Sequence, residues 1–312
     1  MTRFVFEIRQ DEEGRRLDKV LARRLDESMD GGFSRKKTKK LLDANKVKRN
    51  GGVERIASRR LEAGDEVEVH VDPQVAGKVK SRKQVNLSPD NILWEDEFII
   101  AIDKPAGLPS QVTRDPRRDH AVAALKRYLK WRGVENPYVA LHHRLDVGTS
   151  GVLVFARDKR ANKGLAEAFR ERKVTKIYRA VCWCTDREQQ HRAGERWVVD
   201  NHLAEEGRGA ERRQVAVHSG GDWAKTEFEV LSKRGRVYLV EARPLTGRRH
   251  QIRVHLAGRG LPIVGDERYG GPMDVESQKV ERMMLHAHRL MMDHPVQDMP
   301  VVIESPLPES LE

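Results

Sequence analysis

The sequence is short of the features that mark secreted, membrane-spanning and disulfide-rich proteins. It has only two cysteines in 312 residues, Cys182 and Cys184, and their spacing suits neither a disulfide nor a complete metal site. We therefore expect two buried thiols in a reducing compartment. No apolar run approaches the roughly 18 residues of a membrane-spanning helix, and the first residues lack the apolar stretch of a signal peptide. These absences predict a cytoplasmic protein without a membrane association.

The twelve histidines are the other candidates for metal ligands. Three close pairs occur, which are His142 with His143, His250 with His255, and His286 with His288. None of them lies in an HExxH or CxxC framework, and structural or RNA-contacting histidines are far more common than ligands at such spacings. We therefore expect no metal site at these histidines.

Positive charge is in clear excess. Lysine and arginine number 59 against 48 acidic residues, which leaves a net charge of +11. Residues 1–83 hold 22 basic and 15 acidic residues, so an excess of seven falls in roughly the first quarter of the chain. Such an excess favours a phosphate-rich partner. We expect the front of the chain to bind nucleic acid.

Residues 13–72 have the pattern of a small domain with two helices and a hairpin. Apolar residues recur at helical spacing from Leu17 to Leu25, and Ser34 is placed to cap a second helix. A short strand, a glycine turn and the alternating run VEVHV follow. The segments SRKKTKKLLDANKVKRNG and LEAGDEVEV resemble the S-four-like RNA-binding domain, a module that recurs in RNA-modifying enzymes.

The resemblance to this domain implies that its basic side chains face RNA phosphates. These residues are Arg35, Lys36, Lys39, Lys40, Lys46 and Lys48. The alternative is an ordinary solvated helix face, which most runs of charge are. The basic bias of the segment and its glycine turns favour the interpretation as an RNA-binding surface.

The rest of the chain divides into a linker and a larger domain. Residues 73–90 are polar, basic and weakly patterned, which predicts a linker. Over residues 91–312, helices and strands do not alternate regularly and hairpin-like neighbours dominate. This order predicts an α+β fold around a largely antiparallel mixed sheet. Residues 185–224 are polar and charged, and we expect them to form a peripheral excursion.

The stretch LHHRLDVGTSG places Arg144 and Asp146 on either side of one leucine. Their side chains point the same way if the backbone is extended. Asp146 precedes a glycine-bearing turn and the apolar segment GVLVFA, so a loop packed on a sheet would hold its carboxylate firmly and leave it reachable. The alternative is an aspartate that only caps a turn.

A second polar segment, LTGRRHQIRVHL, contains Ile252 and Leu256 four residues apart, which predicts a helix. Arg253 lies on a neighbouring face of that helix. If Arg253 points inward it needs an acidic partner, because an unpaired buried guanidinium is costly. Asp146 is the best candidate for that partner. The alternative is a solvated Arg253 on a surface helix.

Four segments in this order resemble the RluA family of pseudouridine synthases: IIAIDKPAG, HRLDVGTSGVLVFARD, KIYRAVC and RPLTGRRHQIRVHLAGRGLPIVGDERYG. With the basic front domain, the chain is similar to the branch that modifies large-subunit (23S) ribosomal RNA. The resemblance implies the pseudouridine synthase fold and an RNA substrate. We expect a monomer, because no pattern indicates a large exposed apolar face.

The family's chemistry requires no redox change, metal or cofactor, and it implies a role for each matched residue. Asp146 would be the carboxylate that attacks C1′ or C6 of the uridine or acts as a base, and Arg253 would pair with it and keep it ionised. Tyr178 would pack on the target base and assist proton removal at C5. Arg144 would occupy the space that the flipped nucleotide leaves in the RNA.

Two other functions remain open from the residues alone. A non-catalytic RNA-binding or ribosome-assembly protein would explain the basic front domain, but would leave Asp146, Tyr178 and Arg253 without a purpose. A nucleoside or glycoside hydrolase would need a second carboxylate or a metal near the first acid. We expect no second acid among the matched motifs, which disfavours the hydrolase.

Overall fold

The computed structural model of the protein describes residues 2–29, 33–71, 84–113, 115, 118–186, 188, 191–207, 212–308 and 311. The chain forms two compact units, Met1–Lys83 and Gln84–Glu312. Most of the predicted linker, residues 73–83, lies outside the described residues. The rest of that linker, residues 84–90, belongs to the second unit, where Leu87 packs in a hydrophobic core.

In the first unit, two helices pack with a four-stranded sheet whose strand order is β1-β4-β2-β3. The apolar residues from Leu17 to Leu25 are buried against the strands, and the Ser34 hydroxyl accepts a hydrogen bond from the Lys37 N–H at 3.4 Å. The predicted domain began at residue 13 and so omitted the first strand. The elements are β1 (Thr2–Glu7), α1 (Leu17–Ser28), α2 (Arg35–Asp43), β2 (Val47–Arg49), β3 (Gly52–Val53) and β4 (Glu66–Val71).

The second unit is built on an 11-stranded sheet. Its elements are β5 (Ile92–Glu95), β6 (Ile99–Lys104), α3 (Ala121–Trp131), β7 (Ala140–Leu141), β8 (Ser150–Ala156), α4 (Ala161–Arg170), β9 (Thr175–Trp183), β10 (Arg196–Glu206), β11 (Arg213–Val217), β12 (Asp222–Arg234), β13 (Val237–Pro244), α5 (Gln251–Gly258), β14 (Asp274–Val275), β15 (Gln278–Lys279), β16 (Leu285–Asp293) and β17 (Pro300–Glu304).

The strands of the large sheet follow the order β11-β10-β12-β13-β9-β16-β8-β6-β5, with β17 beside β16 and β7 beside β8; β14 and β15 form a separate hairpin. Among these pairs, β8 with β16 is parallel and the others are antiparallel. The prediction of an α+β fold on a largely antiparallel mixed sheet is confirmed.

Helices cover both faces of this sheet. Leu153 and Phe155 of β8 pack with α3, whereas Val152 and Val154 pack with α4. Because successive residues of a strand point to opposite faces, α3 and α4 lie on opposite sides of the sheet. Helix α5 packs on β9 and β13. Helices α3 and α4 thus bury β8 on both faces.

The prediction that residues 185–224 form a peripheral excursion is wrong. This segment contains β10 and β11, which extend the main sheet at one edge, and β10 pairs with β12 from Arg196 to Leu203. The residues of β10 are exposed or half-buried except Leu203. Strand β10 lies next to the edge strand β11 and buries only one side chain, so its polar composition resembles that of a loop.

Gly151 fixes the geometry where β8 begins. Its φ is +106°, and a Cβ atom there would lie 2.2 Å from the carbonyl oxygen of Ala287 on β16. Glycine adopts this backbone conformation without strain and lets the two parallel strands approach. The turn that carries Asp146 therefore leads directly into a strand whose position is set by close backbone contact.

Both cysteines are buried thiols and neither is in a disulfide, as predicted. Among the helices of the described residues, none combines the length and apolar character needed to cross a bilayer. Those residues also contain no group of three or more side chains arranged to hold a metal ion.

Candidate active site

Asp146 lies in the turn between β7 and β8, and hydrogen bonds hold that turn in place. The Thr149 N–H donates to the Asp146 carbonyl at 3.1 Å. One residue earlier, the Leu145 N–H donates to the Ser110 hydroxyl at 3.0 Å, and that hydroxyl donates to the Leu145 carbonyl at 2.9 Å. The carboxylate side chain is 24% exposed. It is thus fixed at its base and open at its head.

A buried lysine supports the same turn from below. Lys104, at the end of β6, is fully buried, and its ammonium group donates to the carbonyls of Leu108 at 2.8 Å and Val147 at 3.4 Å. Burial lowers the pKa of Lys104 to about 7, although nearby Asp146 acts in the opposite direction. The Gly107 N–H also donates to the Val147 carbonyl, at 2.7 Å. These bonds join the KPAG turn to the turn that carries Asp146.

Arg253 meets Asp146 across the fold. The Nη1 group of Arg253, on α5, donates to Oδ2 of Asp146 at 3.1 Å. The arginine side chain is only 10% exposed, so the prediction that it points inward to this acid is confirmed by the contact. Its guanidinium carbon also lies 4.9 Å from the centre of the Tyr269 ring.

Asp266 is a second acid at this site, and the expectation of no second acid among the matched motifs is wrong. Its carboxylate accepts from Nε of Arg253 at 2.6 Å and from Nη2 at 2.7 Å. Burial alone would lower the pKa of Arg253, but Asp266 and Asp146 together raise it. Asp266 is 3% exposed and both of its oxygens are engaged. It therefore orients Arg253 from a buried position, whereas Asp146 is open at its head.

His250 faces the same carboxylate and was not assigned to the site from the sequence. Its Nε2 atom lies 4.0 Å from Oδ2 of Asp146, and its Nδ1 atom lies 2.8 Å from the Tyr269 hydroxyl. That hydroxyl oxygen also accepts from the Gln214 N–H at 3.0 Å. Burial lowers the pKa of His250 to about 4, so the ring is neutral at pH 7. Its place in the GRRHQIR motif was the available signal.

Tyr178 lies in the middle of β9, paired with Ala242 on one side and Ala287 on the other. The ring packs against the cores under α3 and α5. Burial raises the pKa of Tyr178, and the charge of Asp146 raises it further. The phenol therefore keeps its proton at neutral pH, close enough to Asp146 for the two groups to interact electrostatically.

Arg144 is exposed, two residues before Asp146, and forms no hydrogen bond or ion pair with the described residues. Its guanidinium is therefore available to a ligand. The structure thus brings Asp146, Tyr178 and Arg253 together and places Arg144 at the opening of the same turn.

The basic residues predicted for RNA contact in the first unit differ in their surroundings. Arg35 is tied to Asp18 by hydrogen bonds of 2.8 and 3.1 Å. On α2, Lys36, Lys39 and Lys40 are exposed. On and before β2, Lys46 and Lys48 are half-buried. The exposed lysines of α2 are the most available cations of the predicted set.

Comparison with known proteins adds to this geometry. Residues 98–258 match the sequence profile of a family described as RNA pseudouridylate synthase. An uncharacterized RNA pseudouridine synthase from Aquifex aeolicus is 33% identical, over 99% of this chain and 95% of the relative. Ribosomal large subunit pseudouridine synthase C of Vibrio vulnificus is 30% identical, over 99% and 94%.

Solved structures show the same likeness. Human RNA pseudouridylate synthase domain containing 4 aligns with a TM-score of 0.55 and 27% identity, over 71% of this chain and 90% of the human chain. Human RNA pseudouridylate synthase domain containing 1 aligns with a TM-score of 0.53 and 26% identity, over 73% and 89%.

Proposed function

The chain belongs to the RNA pseudouridylate synthase family and isomerises uridine in RNA to pseudouridine, and we propose that Asp146 carries out this reaction on large-subunit ribosomal RNA. The observation that supports Asp146 is the difference in hydrogen bonding between its two carboxylate oxygens. Oδ2 is held by Arg253, whereas Oδ1 accepts no hydrogen bond from a described residue. One oxygen is thus oriented and the other is available to a substrate atom.

The reaction exchanges one bond to the ribose for another. The N1–C1′ bond of the uridine breaks, the base turns, and C5 joins C1′, while the proton leaves C5 and N1 gains one. No electrons are gained or lost overall. The proposal requires one carboxylate beside C1′ or C6 and a pocket that keeps the detached base. Arg253, fixed in turn by Asp266, holds the carboxylate in place.

The other residues of the site act on the base and on the RNA. Tyr178 packs on the target base and assists removal of the C5 proton. Because burial and the charge of Asp146 raise the pKa of its phenol, the hydroxyl must first pass its own proton to another base before it accepts one. Flipping a base out of stacked RNA costs a few kcal/mol. The exposed and unpaired guanidinium of Arg144 is placed to fill the gap in the RNA and offset part of that cost.

Ribosomal RNA is proposed as the substrate on two grounds. Relatives that match the chain over nearly its whole length are named ribosomal large subunit pseudouridine synthases C and D. The first unit adds exposed lysines on α2, which suit contact with a phosphate backbone. We further propose that the protein acts as a monomer in the cytoplasm, where its two buried thiols would stay reduced.

The test of this proposal is to map pseudouridine in large-subunit ribosomal RNA after incubation with the protein. Carbodiimide modifies pseudouridine, and reverse transcriptase then stops at the modified base. We expect new stops at specific uridines with the wild-type protein. An absence of new stops in ribosomal RNA, together with stops in transfer RNA, would assign the enzyme to transfer RNA instead. Binding without stops in either RNA would favour a non-catalytic RNA-binding protein.

The lysines of α2 can be tested separately from the chemistry. Changing Lys36, Lys39 and Lys40 to glutamine should weaken RNA binding, because each loses an ion contact with a phosphate. The slope of log K against log salt should fall by roughly two to three if all three contact phosphates. The control is Lys126→Gln with Lys130→Gln on α3, which removes two exposed lysines from the other unit. An unchanged slope in the triple variant would show that the lysines of α2 do not contact phosphates and form an ordinary solvated helix face.

A further inference from the structure

Lys176 is a desolvated cation beside the active site that the chemistry above does not use. It is the second residue of β9, two positions before Tyr178, and it is half-buried. Its ammonium group forms no hydrogen bond or ion pair with any described residue. Burial lowers the pKa of Lys176, and nearby Arg172 lowers it further. Among the described residues, no carboxylate offsets either effect on the pKa of this lysine.

Arg172 supplies a second cation at the same place. It lies in the turn between α4 and β9 with a left-handed backbone, φ 60°. Its guanidinium carbon sits 4.6 Å from the centre of the Trp223 ring. Stacking on an aromatic ring orients the planar guanidinium and leaves its edge N–H groups free to donate. Arg172 makes no ion pair with an acid among the described residues.

The ring under Arg172 is itself held by two contacts. The indole N–H of Trp223 donates to Asp200 at 2.7 Å, and the Trp223 carbonyl accepts from Nε of Arg248 at 3.0 Å. Asp200 also pairs with Lys225 at 3.0 Å, so this acid is already engaged. The arginine and its platform are therefore arranged before any ligand arrives.

Three connections place these cations beside the catalytic turn. Lys176 and Tyr178 are two residues apart on one strand, a separation of roughly 6.6 Å. Lys176 also lies near His143, three residues before Asp146, and adds to the burial that lowers the pKa of His143 to about 3. Arg248, which holds Trp223, belongs to the segment that leads into α5 and Arg253.

A desolvated ammonium group without an anion is costly to a folded protein. A second cation beside it, also without an acid, adds repulsion. Both costs disappear when a ligand supplies the negative charge. A phosphodiester offers one full charge and oxygens that accept from both an ammonium and a guanidinium.

We propose that Lys176 and Arg172 form a phosphate-binding pair that holds the RNA backbone within one nucleotide of the target uridine. The proposal rests on the RNA pseudouridine synthase activity described above. It adds an anchor for the flipped strand that is separate from Asp146 and from Arg144. With the backbone held beside Tyr178, the ribose of the target nucleotide is kept in register with the carboxylate.

The test combines protein variants with RNA in which one phosphate is neutral. The RNA is a ribosomal fragment centred on a mapped uridine, with a methylphosphonate at one linkage at a time. Wild-type protein should lose roughly tenfold in affinity at the contacted linkage. Lys176→Met should bind the unmodified RNA roughly tenfold more weakly than the wild type does. A methylphosphonate at the contacted linkage should then reduce the affinity of this variant only slightly further. Arg172→Asn, which keeps a residue that tolerates a left-handed backbone, should behave in the same way.

Controls separate a phosphate contact from a structural role. Lys130→Met on α3 should follow the wild type at every linkage. Lys176→Met should unfold at the same temperature as the wild type or a higher one, because it removes a buried unpaired charge, and it should raise KM more than it lowers kcat. Equal losses for wild type and Lys176→Met at every linkage would overturn the proposal, as would a lowered unfolding temperature with normal RNA affinity.

The outcome also separates this proposal from the proposed function. If wild-type protein forms pseudouridine but Lys176→Met shows normal affinity and KM, the phosphate pair fails and the activity stands. If wild-type protein forms none in ribosomal RNA, the substrate assignment fails. The pair is then judged from direct binding to the same RNA, where a salt slope unchanged in Lys176→Met would overturn it.

Discussion

Replacing Asp146 by asparagine should abolish pseudouridine formation while leaving RNA binding nearly unchanged. The amide keeps the shape of the carboxylate but can serve neither as a nucleophile nor as a base. Loss of such a group costs roughly 10⁴-fold or more in turnover. Affinity should persist, because a carboxylate does not attract a polyanion and the cations around it remain. Single-turnover assays with saturating enzyme and a binding titration with the same RNA measure the two quantities.

The fold should survive this substitution. Arg253 keeps both hydrogen bonds to Asp266, so it is not left as an unpaired buried charge. The matched control is Asp298→Asn, which changes an exposed aspartate of the same unit and should keep full activity. Turnover by Asp146→Asn within tenfold of the wild type would remove Asp146 from the reaction.

Replacing Asp266 should affect stability and turnover together. This acid is the bidentate partner of Arg253 and is almost fully buried. Removing one member of a buried ion pair costs about 3–5 kcal/mol when the other charge is left uncompensated. Because Arg253 keeps its hydrogen bond to Asp146, Asp266→Ala should lower the free energy of unfolding by up to that amount, measured by urea denaturation. Turnover should fall roughly 10²-fold, since Arg253 no longer holds Asp146 in one orientation.

A double variant separates the two effects. Arg253→Met with Asp266→Leu replaces the whole pair by apolar side chains of similar size, a change that is often neutral or stabilising in other buried pairs. We expect most of the stability to return while turnover stays low, because Asp146 still lacks its orienting partner. Recovery of turnover along with stability would show that the pair supports only the fold.

Much of the fold could be predicted because apolar residues recur along the chain at the spacing of helices and strands. The apolar period from Leu17 to Leu25 and the buried run of β8 each match the structure. The β10 strand was missed, since nearly all of its side chains are exposed or half-buried and no buried apolar alternation marks it. The first strand was missed as well, because residues 2–7 precede the helical pattern that defined the domain.

The site could be predicted in part for a different reason. Asp146 and Arg253 were paired from charge alone, because a buried guanidinium needs an acid and few acids lay in the matched motifs. Asp266 and His250 were missed, although both stand in those motifs. Neither lies in a periodic element, so only tertiary packing decides that one orients Arg253 and the other faces Asp146. Sequence spacing carries no information on such contacts.

The position of β16 has a consequence for the order in which the protein is completed during translation. Residues Leu285–Asp293 lie between β9 and β8 in the sheet, although they come late in the chain. The Ser150 hydroxyl and Nδ1 of His286 form a hydrogen bond between residues that are 136 positions apart in the sequence. A nascent chain that has already exposed the turn with Asp146 still lacks the strand that closes the sheet beside it. The catalytic unit therefore completes its sheet only after β16 has been synthesised and has left the ribosome, and the isomerase cannot act before then.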